Sequence, residues 1–393
     1  MARPPRPPWS DLPVELLGIV FEQLNCLADR ACLAAVCRPW CSAAASVDAP
    51  QRGLPWLLLP SRDAPSFFSL HSGATRRLTL PEGVRGARLC GAHDGGWVAV
   101  AEDPWRGFAA VNILTGVRVP LPERLWLEVR YAHGWPFTDT CGHPMLVRTI
   151  VFSAPPTSTN CIAAAHVSSS SNLCFWQPGI GMDKHWIARQ AHPDVIQDII
   201  YYHSGEKMQG GFHVLTNKED ILVYEPRAGG GPDAPLEMTC RSYQIPRRAN
   251  RLPDSFVATR YLVESRGKLL MVVRHRSGNP SVRRRTRMFL VFEMCLTSPN
   301  AATWEEIPEL SGRALFLRRG CSRAVEVSHF SVLEEGTIYY LNDAVDMSNP
   351  MEFNNGSRYD MGVYRKGRKI RPVGRQFPRQ FTADCSPPIW LVP

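Results

Sequence analysis

Apolar positions along this chain follow two different periods, and the change comes near residue 55. From Trp9 to Ala44 (WSDLPVELLGIVFEQLNCLADRACLAAVCRPWCSAA) they recur at helical spacing. Leu16, Ile19, Val20, Gln23 and Leu24 stand three and four apart, which predicts a helix ending near Asn25 with its apolar members on one face. Pro13 suits the start of that helix, where its fixed φ and missing N–H cost nothing. Asp29 is a candidate N-cap for a second piece carrying Leu33, Val36, Cys37 and Trp40. Pro39 is expected to end that piece or kink it. Two or three short helices bury too little surface to be stable alone, so their apolar faces need a partner, either the rest of the chain or another protein.

Beyond a polar, Pro/Gly-punctuated connector the pattern becomes short runs of Val, Leu, Ile, Phe, Tyr and Trp between turn residues, which read as strands. Residues 56–59, 67–70, 77–80, 96–101 and 108–113 come first. The middle of the chain continues with 146–152, 161–165, 173–176, 186–189, 199–202, 212–215, 260–263 and 268–273. A weak repeat runs through them. Leu70 to Pro81 (LHSGATRRLTLP) and Val111 to Pro122 (VNILTGVRVPLP) both place strand, turn and strand before a closing Leu-Pro, and looser echoes follow at 221–226, 289–308 and 361–373. A period of about 40–50 residues with several strands per unit predicts propeller blades. Roughly two dozen strands at about four per blade give five to seven of them. A β-sandwich would also be all-β, but it would not require the repeated outer hairpin.

The spacing Leu12-Pro13-x-Glu15-Leu16-Leu17-x-Ile19-Val20, followed by Val36-Cys37-Arg38 and Trp40, resembles an F-box, the module by which substrate receptors of SCF-type ubiquitin ligases attach to a Skp-type adaptor. Two departures are Gly18, which costs about 1 kcal/mol inside a helix relative to Ala, and Pro39 ahead of the tryptophan. Further on, Trp56-Leu-Leu-Leu-Pro60, Gly95-Gly-Trp97, residues 312–327, Gly336-Thr-Ile-Tyr-Tyr-Leu-Asn-Asp343, residues 360–364 and Pro387-Pro-Ile-Trp390 resemble the plant F-box proteins with a C-terminal kelch-like, KIB-type β-propeller, a domain of long-unassigned function. The resemblance implies a mainly β chain with a small α domain in front. Its parts would be a Pro-rich tail (1–8), a helical F-box domain (9–46), a linker (47–54) and a propeller (55–393). It also implies that Leu12, Pro13, Leu16, Leu17, Ile19, Val20, Val36, Cys37 and Trp40 meet the adaptor and, through it, a cullin. The propeller would hold a target protein for ubiquitination, in the nucleus, the cytoplasm or both. Two other classes stay open: an interaction propeller whose helices merely cap the barrel, and a propeller hydrolase.

Composition narrows the chemistry. No run of about 18 apolar residues is present to cross a membrane, and the opening Met1 to Pro8 lacks the apolar stretch of a secretory signal. Twelve cysteines include no CxxC pair, and Cys26, Cys32, Cys37 and Cys41 have no histidine near them, so they read as small buried thiols and not as a zinc site. Cys90-x-x-His93 and Cys141-Gly-His143 are isolated and read as core or loop residues. The formal charge is +9, with six lysines against 39 arginines and none of the lysines before Lys184. On the ligase reading, self-ubiquitination would fall on the distal part of the chain. The one dense basic run, Arg283 to Arg287, reads as a solvated loop tip; a phosphate-binding patch or nuclear-import signal is the sharper alternative. Asp94, Glu102, Asp103, Asp343, Asp346 and Asp360 show no acid/base spacing and read as turn residues. No Gly-x-Ser-x-Gly, His-Glu-x-x-His or P-loop pattern occurs, so no catalytic residue, cofactor or metal is expected.

Overall fold

The structure, a computed structural model, describes residues 9–24, 33, 36–46, 53–81, 83–103, 106–130, 136–143, 146–168, 172–178, 185–188, 194–203, 210–227, 236–243, 245–276, 286–341, 360–365 and 386–393. Among them are helices α1 (Val14–Gln23) and α2 (Arg38–Ser46) and 26 strands in six sheets, the six blades of a propeller. The blade count falls inside the range that the strand tally predicts. Asp29, Asp343, Asp346 and Arg283 to Arg285 lie outside the described residues.

Blade one holds Trp56–Leu59, Ser66–Ser69 and Ala74–Arg77, and takes its fourth strand, Ile389–Leu391, from the far end of the chain. Trp56 pairs with Leu391, Leu57 with Trp390 and Leu58 with Ile389, antiparallel. Blade two runs Arg88–His93, Trp97–Asp103, Arg106–Asn112 and Arg118–Pro120. Blade three has Leu146–Phe152, Ala163–Ser168, Leu173–Trp176 and His185–Ala188, then two more strands beyond its fourth: Arg124–Arg130, parallel to His185–Ala188, and Pro136–His143, antiparallel to Arg124–Arg130. Blade four is Ile196–Tyr202, Gly211–Thr216, Ile221–Pro226 and Met238–Ser242, and blade five is Val257–Ser265, Lys268–Arg276, Thr286–Ser298 and Ala301–Glu306. Blade six orders its strands Arg323–Glu326, Arg313–Leu317, Thr337–Tyr340 and Gly362–Arg365, with a parallel pair in the middle. The first-named strands of blades two to six and the closing strand of blade one line the axis, each packed beside the next.

Both faces of each blade are apolar, and alternate residues serve different neighbours. Val98 and Val100 face blade one, whereas Trp97, Ala99 and Ala101 between them face blade three. In blade four, Leu222 packs toward blade three, and Ile221 and Val223 toward blade five. The period of two is therefore present but masked, as in any strand buried on both sides. The repeated Leu-Pro units are the outer hairpins of blades one and two, whose last strands are the exposed Ala74–Arg77 and Arg118–Pro120.

The turn between Leu317 and Arg323 crosses toward every other blade. Leu317 O accepts from Trp390 Nε1 at 3.3 Å, Arg318 Nη2 donates to Leu89 O at 3.2 Å, and Arg319 Nη2 donates to Thr259 Oγ1 at 2.7 Å. Gly320 N–H donates to Asp198 Oδ1 at 2.8 Å. Its φ of 73° and the Thr149 methyl, 2.1 Å from where a Cβ would stand, leave room for glycine alone. Asp198 also accepts from Ile199 N–H and Leu262 N–H at 2.9 Å each, so one carboxylate joins blades four, five and six. Burial pushes the Asp198 carboxyl up to about 7, against the pull of these N–H donors.

Two stability predictions follow from this closure. Trp390→Ala empties a fully buried site and removes its bond to Leu317, and should lower the free energy of unfolding in urea by about 3–5 kcal/mol. For Asp198, the folded chain holds a proton that the unfolded chain releases between 3.8 and about 7. Stability should therefore fall as pH rises through that window. Asp198→Asn should flatten this slope and lower stability by about 1–3 kcal/mol at pH 5, because its amide turns N–H against an N–H donor.

Candidate protein-docking surfaces

In the helical module α1 starts directly after Pro13, which is its N-cap, and ends at Gln23 with Leu24 already extended. Pro39 does not terminate a helix. It sits in the first turn of α2, where the missing N–H is harmless, and Trp40 accordingly belongs to α2 and not to the piece before it. Leu17, Phe21, Trp40 and Ala43 form a small core, with Leu12, Leu24, Leu33 and Cys37 packed around it and, among the described residues, none from a blade. Trp40 Nε1–H donates to Trp9 O at 3.0 Å, which fastens the opening turn onto α2.

The nine residues that the F-box resemblance picks out divide by burial. Leu16 (48% exposed), Ile19 (55%), Val20 (40%) and Val36 (60%) point outward, and Pro13 is exposed beside them. Leu12 and Cys37 are half-buried, while Leu17 and Trp40 lie inside the module's own core. Helix α1 is thus apolar on two sides: Leu17 and Phe21 at i, i+4 hold α2, and Leu16, Ile19 and Val20 at i, i+3, i+4 are left in solvent. Leu24 goes with the inner set and not, as its spacing suggests, with Leu16. Sequence reasoning missed Trp9 and Val14, both large and exposed, and Phe21, whose spacing from Leu17 is the signal for the inner stripe.

The second surface is the axial mouth of the propeller, a cavity of about 420 Å³. The ends of the inner strands of blades two to six line it, together with Gly320 to Ser322 of the turn that crosses between the blades. Of the candidate carboxylates, Asp94 stands at this mouth and pairs with Arg323; Glu102 pairs with Arg118 on blade two. Asp360 accepts from Arg274 Nη2 at 2.9 Å and from Thr286 N–H at 2.9 Å, a tie between blades five and six. Burial lowers the pKa of His93, with Asp94 pulling the other way. Cys90 lies in the core between blades two and three while His93 faces the mouth, so the two do not form a pair. Among the described residues no three of His, Cys, Asp and Glu come together to hold a metal ion.

The split within α1 is testable by substitution. Leu17→Ala should cost about 2–5 kcal/mol and unfold the helical module. Leu16→Ala should leave it folded, within about 0.5 kcal/mol. Hydrogen exchange of the α1 amides separates the two outcomes.

No curated protein matches the chain. Among solved structures, the N-terminal domain of Nup159 is similar at a TM-score of 0.34 and 11% identity, over 64% of this chain and 58% of that one. The Cps50 (Swd1) β-propeller domain of Myceliophteria thermophila is similar at 0.33 and 14%, over 62% of this chain and 68% of that one. The chain spans less than two thirds of the Nup159 structure. An F-box-like family model matches residues 9–47, the stretch that holds α1 and α2. A second model, described as a KIB1-4 beta-propeller, matches residues 67–365, which is most of the chain and all but the closing parts of the ring, and the protein belongs to that family.

Proposed function

We propose that this protein is the substrate-recognition subunit of an SCF-type ubiquitin ligase, its helices docked on a Skp-type adaptor and its propeller holding the target. The observation that carries this reading is the outward apolar set on the helices. Leu16, Ile19, Val20 and Val36 are not needed to hold the module together, yet each leaves a large aliphatic side chain in water. Covering them is worth roughly 1.5–3 kcal/mol apiece before the costs of association. The F-box-like match over the same residues supports an adaptor as what covers them. The inner pair, Leu17 and Trp40, acts through position, fixing the angle at which α1 offers its other side.

A receptor of this kind supplies no reacting group. Its contribution is to keep a target lysine near the charged conjugating enzyme, which raises effective concentration without a catalytic residue in this chain. The carboxylates at Asp94, Glu102 and Asp360 fit that role, since each is taken up by an arginine of the propeller itself. The proposed assembly places the protein beside a cullin, acting in the nucleus, the cytoplasm or both.

Co-purification with a recombinant Skp-type adaptor tests the reading. The wild-type chain should form a complex stable to gel filtration. An Ile19→Asp/Val20→Asp variant, which puts charge on the exposed side and leaves the inner core intact, should lose at least about tenfold in affinity. Undiminished binding by that variant would overturn the assignment of this surface.

A further inference from the structure

The axial mouth has a chemistry of its own. At about 420 Å³ it falls within the range of roughly 300–1,000 Å³ typical of ligand sites. Gly320 to Arg323, from the turn that bonds across to blades two, four and five, form part of its lining. Its walls offer aromatic rings. Phe152 and His93 stand edge to face at 6.3 Å, and Tyr201 and His203 at 5.1 Å.

The polar groups around it are mostly taken. Ser322 Oγ donates to Arg318 O at 2.8 Å, Tyr202 Oη donates to Gly267 O at 2.6 Å, and Ser153 Oγ accepts from Ile162 N–H at 2.8 Å. Arg323, the cation of the lining, is bound to Asp94. Glu264 is different. It is exposed, its Oε1 accepts from Gly267 N–H at 2.8 Å, and it makes no ion pair with any described residue. Among the described lining residues two carboxylates, Asp94 and Glu264, stand against one guanidinium, in a chain that is otherwise strongly basic. Burial keeps His93 from adding a positive charge near neutral pH.

We propose that this mouth seats an arginine side chain of the protein held by the propeller, with Glu264 accepting from the guanidinium and the ring of Tyr202, whose hydroxyl bonds the same Gly267, lying against its face. This rests on the propeller being the target-binding part of the molecule. A planar guanidinium suits the site better than an ammonium, because it can bond a carboxylate in parallel and stack on an aromatic ring at once. A carboxylate or phosphate entering here would meet Glu264 unpaired. An aliphatic side chain would strip water from Glu264 and return no hydrogen bond.

The test uses the full-length chain and three capped pentapeptides, Gly-Ala-Arg-Ala-Gly and its norleucine and glutamate analogues, titrated calorimetrically in low salt. The arginine peptide should bind about tenfold more tightly than either analogue. Glu264→Gln should remove most of that preference without moving the thermal midpoint, since the residue is exposed. Tyr202→Leu should weaken the arginine peptide alone. Equal binding of all three peptides, tighter binding of the glutamate peptide, no binding of the arginine peptide, or an unaltered arginine affinity in Glu264→Gln would each overturn the proposal. Adaptor co-purification uses none of these residues, so failure of the peptide test leaves that assignment standing, and the converse also holds.

Discussion

A ring of blades has no inside until it is shut, and here three residues shut it. Ile389–Leu391 comes from the end of the chain and adds to Trp56–Leu59 as the axial strand of blade one. Until that pairing forms, blade one lacks its inner strand and blade six lacks the ring that Phe316 packs on, Trp390 at 5.0 Å. The contact joins residues more than three hundred positions apart, so its loop-closure entropy must be offset by burial within the strand itself, and all three of its residues are essentially fully buried. The second closure is axial. Leu317 to Arg323 reaches blades one, two, four and five by backbone and side-chain bonds, and meets blade three where Gly320 passes so close that a Cβ would strike Thr149. Blade six is thus both the last blade and the hub, and its unusual parallel pair follows from a chain that must leave the sheet for the axis and then return.

That arrangement explains which parts of the fold were legible. Strands such as Leu146–Phe152 and Leu173–Trp176 match the predicted runs residue for residue, because burial on both faces makes them apolar throughout, save for Arg148 and Thr149 in the first. Arg88–His93 and Met238–Ser242 carry too few β-branched or aromatic residues to register, although the first lines the axis. The run at 77–80 is placed three residues too far along: the strand is Ala74–Arg77, all exposed, and the apolar Leu78 and Leu80 follow it to pack on the core. The two strands added to blade three, Arg124–Arg130 and Pro136–His143, have no counterpart in the forty-residue repeat and left no mark in it.

The candidate surfaces were legible to different degrees, for a physical reason. A ten-residue helix with five aliphatic residues and a Phe shows its apolar content in sequence, but spacing alone does not say which side faces a neighbour and which faces water. Only the packing of Leu17 and Phe21 against Trp40 and Ala43 separates the sets. The axial mouth was not legible at all. His93, Tyr201, Glu264 and Arg323 lie in four separate blades, and no local pattern links residues that meet because a ring has closed.

The same closure accounts for the lopsided choice of cation. An excess of arginine over lysine invites a search for nucleic acid, yet many of these side chains are structural. Arg274, 1% exposed, donates to Thr286 Oγ1, Tyr261 Oη, Leu341 O and Asp360 Oδ2 and lies over the Tyr340 ring, bracing blade five against blade six. Arg248 and Arg260 converge on Glu219, with Arg248 also against the face of Phe292. Burial raises the pKa of Glu219, and the two guanidiniums outweigh it to leave the carboxyl below its ordinary value. A lysine could make one such contact, but it lacks the flat fork that lets one side chain bond several carbonyls and stack on a ring at the same time. Wedge-shaped gaps between blades call for that geometry, so the positive charge is set by how a propeller is held together before any partner is considered.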